Sequence, residues 1–466
     1  MRTARWVRFL PAALALGAAS LVVWPARSGA FTVLDHTLGL DQRDVRVFNN
    51  FADPESNDNT TPHASWPGFT GAPMAIWKAT VEWQSLLHGD GEGDPSQPGD
   101  LGSGGANFDP TWQGNAPGIG GSTENVVSAI ANCGGGVFAF TEVGAGGWRI
   151  RLCDDSLWDD GPGVVLAPGA IDIQGIITHE YGHALGLGHT NIGGSTMYPS
   201  ASGNGVSIRS IEADDKAGVQ FLYGAASPSK PRIDYVLVSG AAVDLVGLGF
   251  APFGNSVWFT QAGVNPTGNP IQVGALTSTA GGTRIHSPLP ATAGPGDILV
   301  TVPGGSAASL SNAFPFDPSL CGEPAVYCTP KTNSLGCASA IASSGTPSAS
   351  AGSGFVVSAT NVLNQVFGIL FYGKDGPASA PFQGGFLCVG GPLVRTPVQS
   401  SGGSPQPASD CSGSFALDFN AWIASGQDPA LIAGSAVWAQ HWSRDPGFAP
   451  PQNTNLSDAL AFAICP

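Results

Sequence analysis

The sequence predicts a multidomain protein: an α+β domain, then a β-sandwich, then a disulfide-stapled all-β domain at the C-terminus. Three observations lead there. Apolar residues recur at helical spacing in residues 73–88 and 171–185, with strand-like runs between and before them. Beyond residue 230 the pattern changes to short alternating runs separated by Gly- and Pro-rich turns, as in residues 243–250 and 257–260. Six of the eight cysteines (Cys321, Cys328, Cys337, Cys388, Cys411 and Cys465) fall in the last third of the 466 residues.

The chain opens with Arg2, Arg5 and Arg8, an apolar run over 9–24, and Ser28-Gly29-Ala30. That reads as a secretory signal peptide over 1–30, and the expected location is extracellular. Removing it takes away four arginines and no acids, so the net charge falls from −16 to −20. So acidic a surface argues against nucleic acid and anionic membranes as partners. No later segment is long and apolar enough to span a bilayer. An exported chain can keep disulfides, and Cys133 and Cys153, alone in the first half, are the candidate pair. Among the other six, fifteen connectivities stay open.

The α+β domain is expected over 31–224. Residues 46–51 read as its first strand and 73–88 as its first long helix, packed through Ile76, Trp77, Val81 and Trp83. The acidic loop 89–107 carries Asp90, Glu92, Asp94 and Asp100, which makes calcium a candidate second ion; a solvated loop is the plainer reading. Strands are expected at 135–142 and 148–152. A linker over 225–230 leads to the β-sandwich at 231–318, and the cysteine-containing all-β domain fills 319–466. Trp422, Trp438 and Trp442 there could stack on sugars, although core packing is the plainer reading.

Three of the eight histidines fall in eleven residues, in His179-Glu180-Tyr181-Gly182-His183-Ala184-Leu185-Gly186-Leu187-Gly188-His189. On a helix, His179 and His183 project from one face one turn apart. Gly186 can end that helix in the left-handed region, which turns the chain so that His189 can return. Three neutral imidazoles around one Zn²⁺ leave a fourth position open, the arrangement of a catalytic rather than a closed structural site. Glu180, beside the first histidine, is placed to act as general base. The competing reading is a buried helix whose histidines are merely satisfied by neighbours; each further element of the pattern makes that coincidence rarer.

The motif, with Met197-Tyr198-Pro199 downstream, resembles the metzincin clan of zinc endopeptidases and within it the matrixins. Residues 214–224 are similar to the last helix of a matrixin catalytic domain. The resemblance implies a twisted mixed sheet with an active-site helix. It implies one catalytic zinc on His179, His183 and His189, with Glu180 as base. Met197 would form a hydrophobic turn beneath the metal, and Tyr198 and Pro199 would line the primed-side substrate pocket. An edge strand, expected within 135–142, would pair with the extended substrate backbone. The sequence departs from the family in having Thr190 after the third histidine, and in lacking a recognisable structural zinc and calcium loop before the active-site helix. No cysteine precedes Cys133, so latency through a cysteine bound to the metal is not expected. Residues 231–318 resemble IPT/TIG-type immunoglobulin-like domains. The resulting expectation is a secreted zinc endopeptidase acting on protein or peptide substrates, with its β-domains contacting a surface or polymer. The alternative is a non-catalytic adhesion or carbohydrate-binding protein with a vestigial metzincin domain.

Overall fold

Alternating aliphatic residues such as Val45, Val47, Val127, Ile150 and Leu152, all fully buried, build a five-stranded sheet in the N-terminal half. The computed structural model describes residues 31–88, 102, 104–131, 133, 134, 136–200, 204–319 and 322–465. The expected signal peptide, the acidic residues Asp90, Glu92, Asp94 and Asp100, and Cys321 lie outside those residues. None of the described helices is long and apolar enough to cross a membrane.

The first elements are β1 (Thr32–Val33), β2 (Asp44–Phe48), α1 (Gly71–Val81), β3 (Thr111–Asn115), β4 (Val126–Ile130), β5 (Ala139–Gly144) and β6 (Gly147–Cys153). Next come β7 (Trp158–Asp159), β8 (Ile171–Asp172), α2 (Ile173–Leu185), β9 (Leu187–Gly188) and α3 (Ala213–Tyr223). The sheet order is β3-β2-β4-β6-β5. All neighbours are parallel except β5, which runs antiparallel to β6 from Ala139 opposite Leu152 to Gly144 opposite Gly147. The sheet is therefore mixed, with β5 as an edge. Both long helices are buried along their whole length. Trp66, Trp77, Trp83, Trp112, Trp148 and Trp158 pack in one core with them, and Trp77 stacks on Trp112 at 4.9 Å. Cys133 and Cys153 are joined.

The helix expected over 73–88 stops at Val81. Tertiary bonds redirect the seven residues that follow. Glu82 accepts the Ile211 N–H (3.1 Å), and the Trp83 indole donates to the Thr178 carbonyl (3.1 Å). Ser85 gives both its N–H and its hydroxyl to Asp109 Oδ1. These side chains are apolar or polar in a helical rhythm, but their partners lie on other elements.

Past residue 230 the strands are β10 (Arg232–Ser239), β11 (Ala242–Leu248), β12 (Asn255–Gln261), β13 (Ile271–Leu276), β14 (Ser278–Thr279), β15 (Arg284–Pro288), β16 (Ala293–Thr301) and β17 (Phe314–Phe316). They form two sheets, β10-β11-β15-β14 and β13-β12-β16-β17. The chain separates into two compact units; β13-β12-β16-β17 falls in the first, and most of β10-β11-β15-β14 in the second. Gly247–Thr277 and Pro290–Pro318 belong to the first unit with the five-stranded sheet. The second unit takes Tyr235–Val246, Ser278–Leu289 and everything from Ser319 on.

Within the first unit, β12 and β16 close the outer edge of β3. Trp112 N–H donates to Asp297 Oδ2 (2.8 Å), and the Thr260 hydroxyl donates to the Trp112 carbonyl (2.6 Å). Asn265 N–H meets the Asn115 carbonyl at 2.8 Å. An edge strand that would otherwise offer unpaired backbone groups is thereby satisfied. The linking segment is pinned in the same unit. Ala226 N–H donates to the Gly105 carbonyl (2.9 Å), and Lys230 is buried with its ammonium 2.8 Å from Asp109.

The second unit is largely β. A sheet of Ala325–Tyr327, Thr454–Ala463, Ala436–Arg444, Phe367–Gly373 and Val394–Arg395, joined by Gln399–Ser400, shares a core with the three strands Ala340–Ser344, Val356–Val362 and Gly413–Asp418. Phe355, Phe419 and Phe462 pack edge-on at 4.9–5.0 Å in that core. Cys328–Cys388 and Cys337–Cys411 fix two of the connectivities that the sequence left open. The short α4 (Phe419–Ala424) is capped by Asp418, which accepts the Ala421 N–H.

Asp297 is fully buried, and desolvation pushes its carboxyl well up against the hydrogen bonds from the Trp112 N–H and Thr260. Asp297→Ala leaves the Trp112 N–H buried without its acceptor and is expected to cost about 1–3 kcal/mol in urea unfolding. Asp297→Asn keeps an acceptor oxygen and is expected to hold most of that stability.

Candidate metal centre

Asp172 starts the histidine helix by accepting the Gly175 N–H (2.6 Å), and Gly186 ends it with φ at 107°, the left-handed conformation. The terminating glycine is also sterically required, because a Cβ there would sit 2.3 Å from the His36 carbonyl oxygen. Between the two caps α2 carries His179, Glu180 and His183, and the turn after Gly186 brings back His189. One ring nitrogen from each histidine lies within 4.8 Å of the others. The Nε2 atoms of His183 and His189 are 3.2 Å apart. Two nitrogens bound tetrahedrally at about 2.0–2.1 Å from zinc would be separated by about 3.3–3.4 Å, so the donor set fits that ion.

Backbone carbonyls aim the rings. His179 Nδ1 bonds to the Thr196 carbonyl (2.6 Å) and His183 Nδ1 to the Leu187 carbonyl (2.8 Å). Each carbonyl needs a proton on Nδ1, which leaves the Nε2 lone pair for a metal. Burial lowers the pKa of all three histidines: His179 falls well below its ordinary value, and His183 to about 4. All three are therefore neutral at neutral pH, as ligands must be.

The Thr196–Met197 peptide unit is held from its other side by α3. Asp215 accepts both the Thr196 N–H (2.8 Å) and the Met197 N–H (3.1 Å). Met197 is buried and presses on α2 at Gly182, where a Cβ would lie 2.3 Å from its sulfur. The glycine inside the motif is thus the place where this side chain passes beneath the helix. Tyr198 and Pro199 follow, each half-buried. The Thr190 N–H closes the turn on the Met197 carbonyl at 3.0 Å.

Glu180 is fully buried, and desolvation raises its carboxyl to about 7 against the pull of one hydrogen bond. That bond comes from the Thr141 hydroxyl on β5, 2.7 Å from Oε2 and 2.8 Å from the Glu180 carbonyl. The candidate base is therefore tied to the edge strand of the sheet. Among the described residues, the three histidines are the group of side chains placed to hold a metal; no acidic trio for calcium assembles.

The family model described as matrixin matches residues 98–224. This segment is a matrixin domain. Rat matrilysin is 40% identical over 70 residues, covering 15% of this chain and 24% of its own length. Stromelysin-3 of Xenopus laevis is 44% identical over 63 residues (13% of this chain, 12% of its own length). Metalloendoproteinase 2-MMP of Arabidopsis thaliana is 43% identical over 56 residues (12% and 15%). The chain thus spans a quarter or less of the length of these relatives. The remainder, from residue 225 on, is a largely β region.

Several residues that shape the matrixin site were not singled out from the sequence. Thr141 is a polar residue in an otherwise ordinary strand. In β1, Thr32 donates to the His189 carbonyl (2.6 Å), and β1 pairs with β9 beside that histidine. Arg209 and Asp172 form a wholly buried ion pair, Nε to Oδ2 at 2.9 Å and Nη2 to Oδ1 at 2.5 Å. The same guanidinium donates to the Pro162 and Gly163 carbonyls, both at 3.0 Å. It joins three pieces of backbone: the helix cap, the loop before it and the loop after the Met197 turn.

Removing the guanidinium strands a buried carboxylate. Arg209→Met is therefore expected to cost about 3–5 kcal/mol by chemical denaturation. In the adjoining loop, burial raises Asp160 to about 7; nearby Asp58 and Asp159 add to the rise and the Asn59 N–H opposes it. Its folded pKa lies above its ordinary 3.8, so the native state binds the proton more tightly. Stability from this group is present at low pH and is lost as pH rises from 3.8 to about 7. Thermal melts of Asp160→Asn should show a smaller loss of Tm between pH 5 and pH 8 than the unsubstituted chain.

Proposed function

We propose that this protein is a secreted zinc endopeptidase that hydrolyses peptide bonds with Glu180 as general base. The observation that carries the reading is the placement of Glu180. Its carboxylate sits on the same helix as two of three converging imidazoles, and the strand that anchors it through Thr141 is an open sheet edge. Zinc on His179, His183 and His189 would polarise the scissile carbonyl and make water acidic enough to attack at neutral pH. Glu180 takes the proton of the attacking water and passes it to the departing amine. Burial raises the proton affinity of that carboxyl, which suits a group that must accept a proton and release it in turn.

The substrate backbone lies along β5 by strand addition, which supplies grip through main-chain hydrogen bonds and leaves choice to side-chain pockets. Tyr198 and Pro199, following the pinned Met197 turn, wall the primed-side pocket. A signal peptide over 1–30 and the disulfides agree with an oxidising, extracellular setting. We assign residues 31–224 to catalysis and residues 231–318 and 319–466 to contacts outside the active site; calcium would act only as a structural ion.

Denatured mixed protein is the first substrate to try. Cleavage by the unsubstituted chain should stop with 1,10-phenanthroline and return on adding zinc. Glu180→Ala should keep its zinc, measured by metal analysis, and lose at least about 10³-fold in rate, within the range general acid–base catalysis contributes. Equal cleavage by Glu180→Ala would remove the proposed base, and absence of cleavage by a zinc-loaded chain would favour a non-catalytic binding protein.

A further inference from the structure

The second compact unit has an open cleft of about 660 Å³ that the peptidase reading does not use. Its walls come from α4 and from the chain around Val394–Arg395, and they include Trp422, Arg395, Asp418, Gln427 and Pro397. Of the tryptophans in this unit, Trp438 is fully buried and Trp442 is half-buried on the strand paired with Ile369, and neither lines the cleft. Trp422 is half-buried and lines the cleft.

Its indole is locked in place from behind. Nε1–H donates to the Tyr372 hydroxyl (3.1 Å), which donates to Asp428 Oδ2 (3.0 Å), and Asp428 in turn is paired with Lys374 at 3.0 Å. The polar edge of the ring is thus consumed inside the protein, and what remains toward the cleft is apolar. Around it stand planar polar groups. Arg395 and Gln427 are exposed. The Asp418 carboxylate is oriented by the Ala421 and Gly354 N–H groups, one on each oxygen, and keeps lone pairs for other donors.

We propose that this cleft binds a neutral polysaccharide, with Trp422 as the stacking platform and Arg395 and Asp418 as the partners of sugar hydroxyls. Sugar rings present one apolar C–H face and a rim of hydroxyls, and a fixed aromatic face flanked by a donor fork and a carboxylate complements both. The net charge of −16 disfavours polyanionic chains. An extended peptide would find little backbone to pair with, since the Thr396 N–H already donates to the Leu370 carbonyl and Pro397 has none. The binding does not depend on peptidase activity.

The test is affinity electrophoresis of the full chain in gels containing soluble xylan, mannan or β-glucan, with pull-down on microcrystalline cellulose and chitin. Heparin and casein serve as the polyanion and polypeptide arms. At least one neutral polysaccharide should retard the chain, and Trp422→Ala and Arg395→Ala should each raise the apparent Kd about tenfold or more. Arg395 is exposed and its loss leaves the core intact, so it decides the matter if Trp422→Ala melts early. Unchanged binding by Arg395→Ala, no retardation by any neutral polysaccharide, or binding to heparin or casein alone would each overturn the proposal.

Discussion

The peptide unit between Thr196 and Met197 bears on nearly everything at the histidine cluster. Its N–H is held by the Asp215 carboxylate and its carbonyl receives the proton of His179 Nδ1. A carboxyl on α3 thus holds a peptide that in turn fixes the tautomer and angle of a histidine ring on α2. Met197, carried on the same unit, packs where Gly182 leaves room. Removing any one of these parts would disturb the others: without Asp215 the turn loses two hydrogen bonds, and with a larger residue than Gly182 the methionine could not pass under the helix.

The surrounding loops are fixed by buried polar networks as well as by apolar packing of Met197, Ile208 and Ile211. Arg209 gathers the cap of α2 and two irregular segments through hydrogen bonds from all three guanidinium nitrogens, a role that a single-point lysine ammonium could not fill. On the other side of α2, the Trp83 indole bonds to the Thr178 carbonyl and Glu82 bonds to the Ile211 N–H, so the segment just after α1 braces the same helix and the same loop. Such networks confer little net stability compared with an apolar core, but they specify one arrangement of backbone. A hydrolytic site that must place a base within hydrogen-bonding reach of a water depends on that specificity.

Local rules carried the reading furthest where chemistry and periodicity coincide. Two histidines four residues apart, followed by a glycine that can take a positive φ, were enough to anticipate that three imidazoles meet around Gly186. Strands expected at 135–142 and 148–152 correspond to Ala139–Gly144 and Gly147–Cys153, while their pairing and register were not legible. What the sequence could not display were bonds between distant residues. The first helix reads as helical through His88, yet its last seven residues are claimed by Ile211, Thr178 and Asp109. The Arg209–Asp172 pair spans 37 positions without any periodic mark. Thr141 looks like an ordinary strand residue until β5 is laid beside α2. Nor did composition display which strands of residues 231–318 pair: β12 and β16 join one four-stranded sheet and β11 and β15 the other, because long-range pairing decides where strands join.

The five-stranded sheet is sealed at one end and open at the other. Side chains of Asp297 and Thr260 occupy the backbone groups of Trp112 on β3, whereas β5 pairs with β6 alone among the described strands. Among the described residues this sheet therefore has one edge that another extended chain can join, and it is the one beside Glu180. The edge that makes the sheet sticky toward strangers is the same edge that would grip a substrate. Crowded copies of the protein would compete with any other extended chain for a shared seat, so self-association through this edge would block that seat more as protein concentration rises.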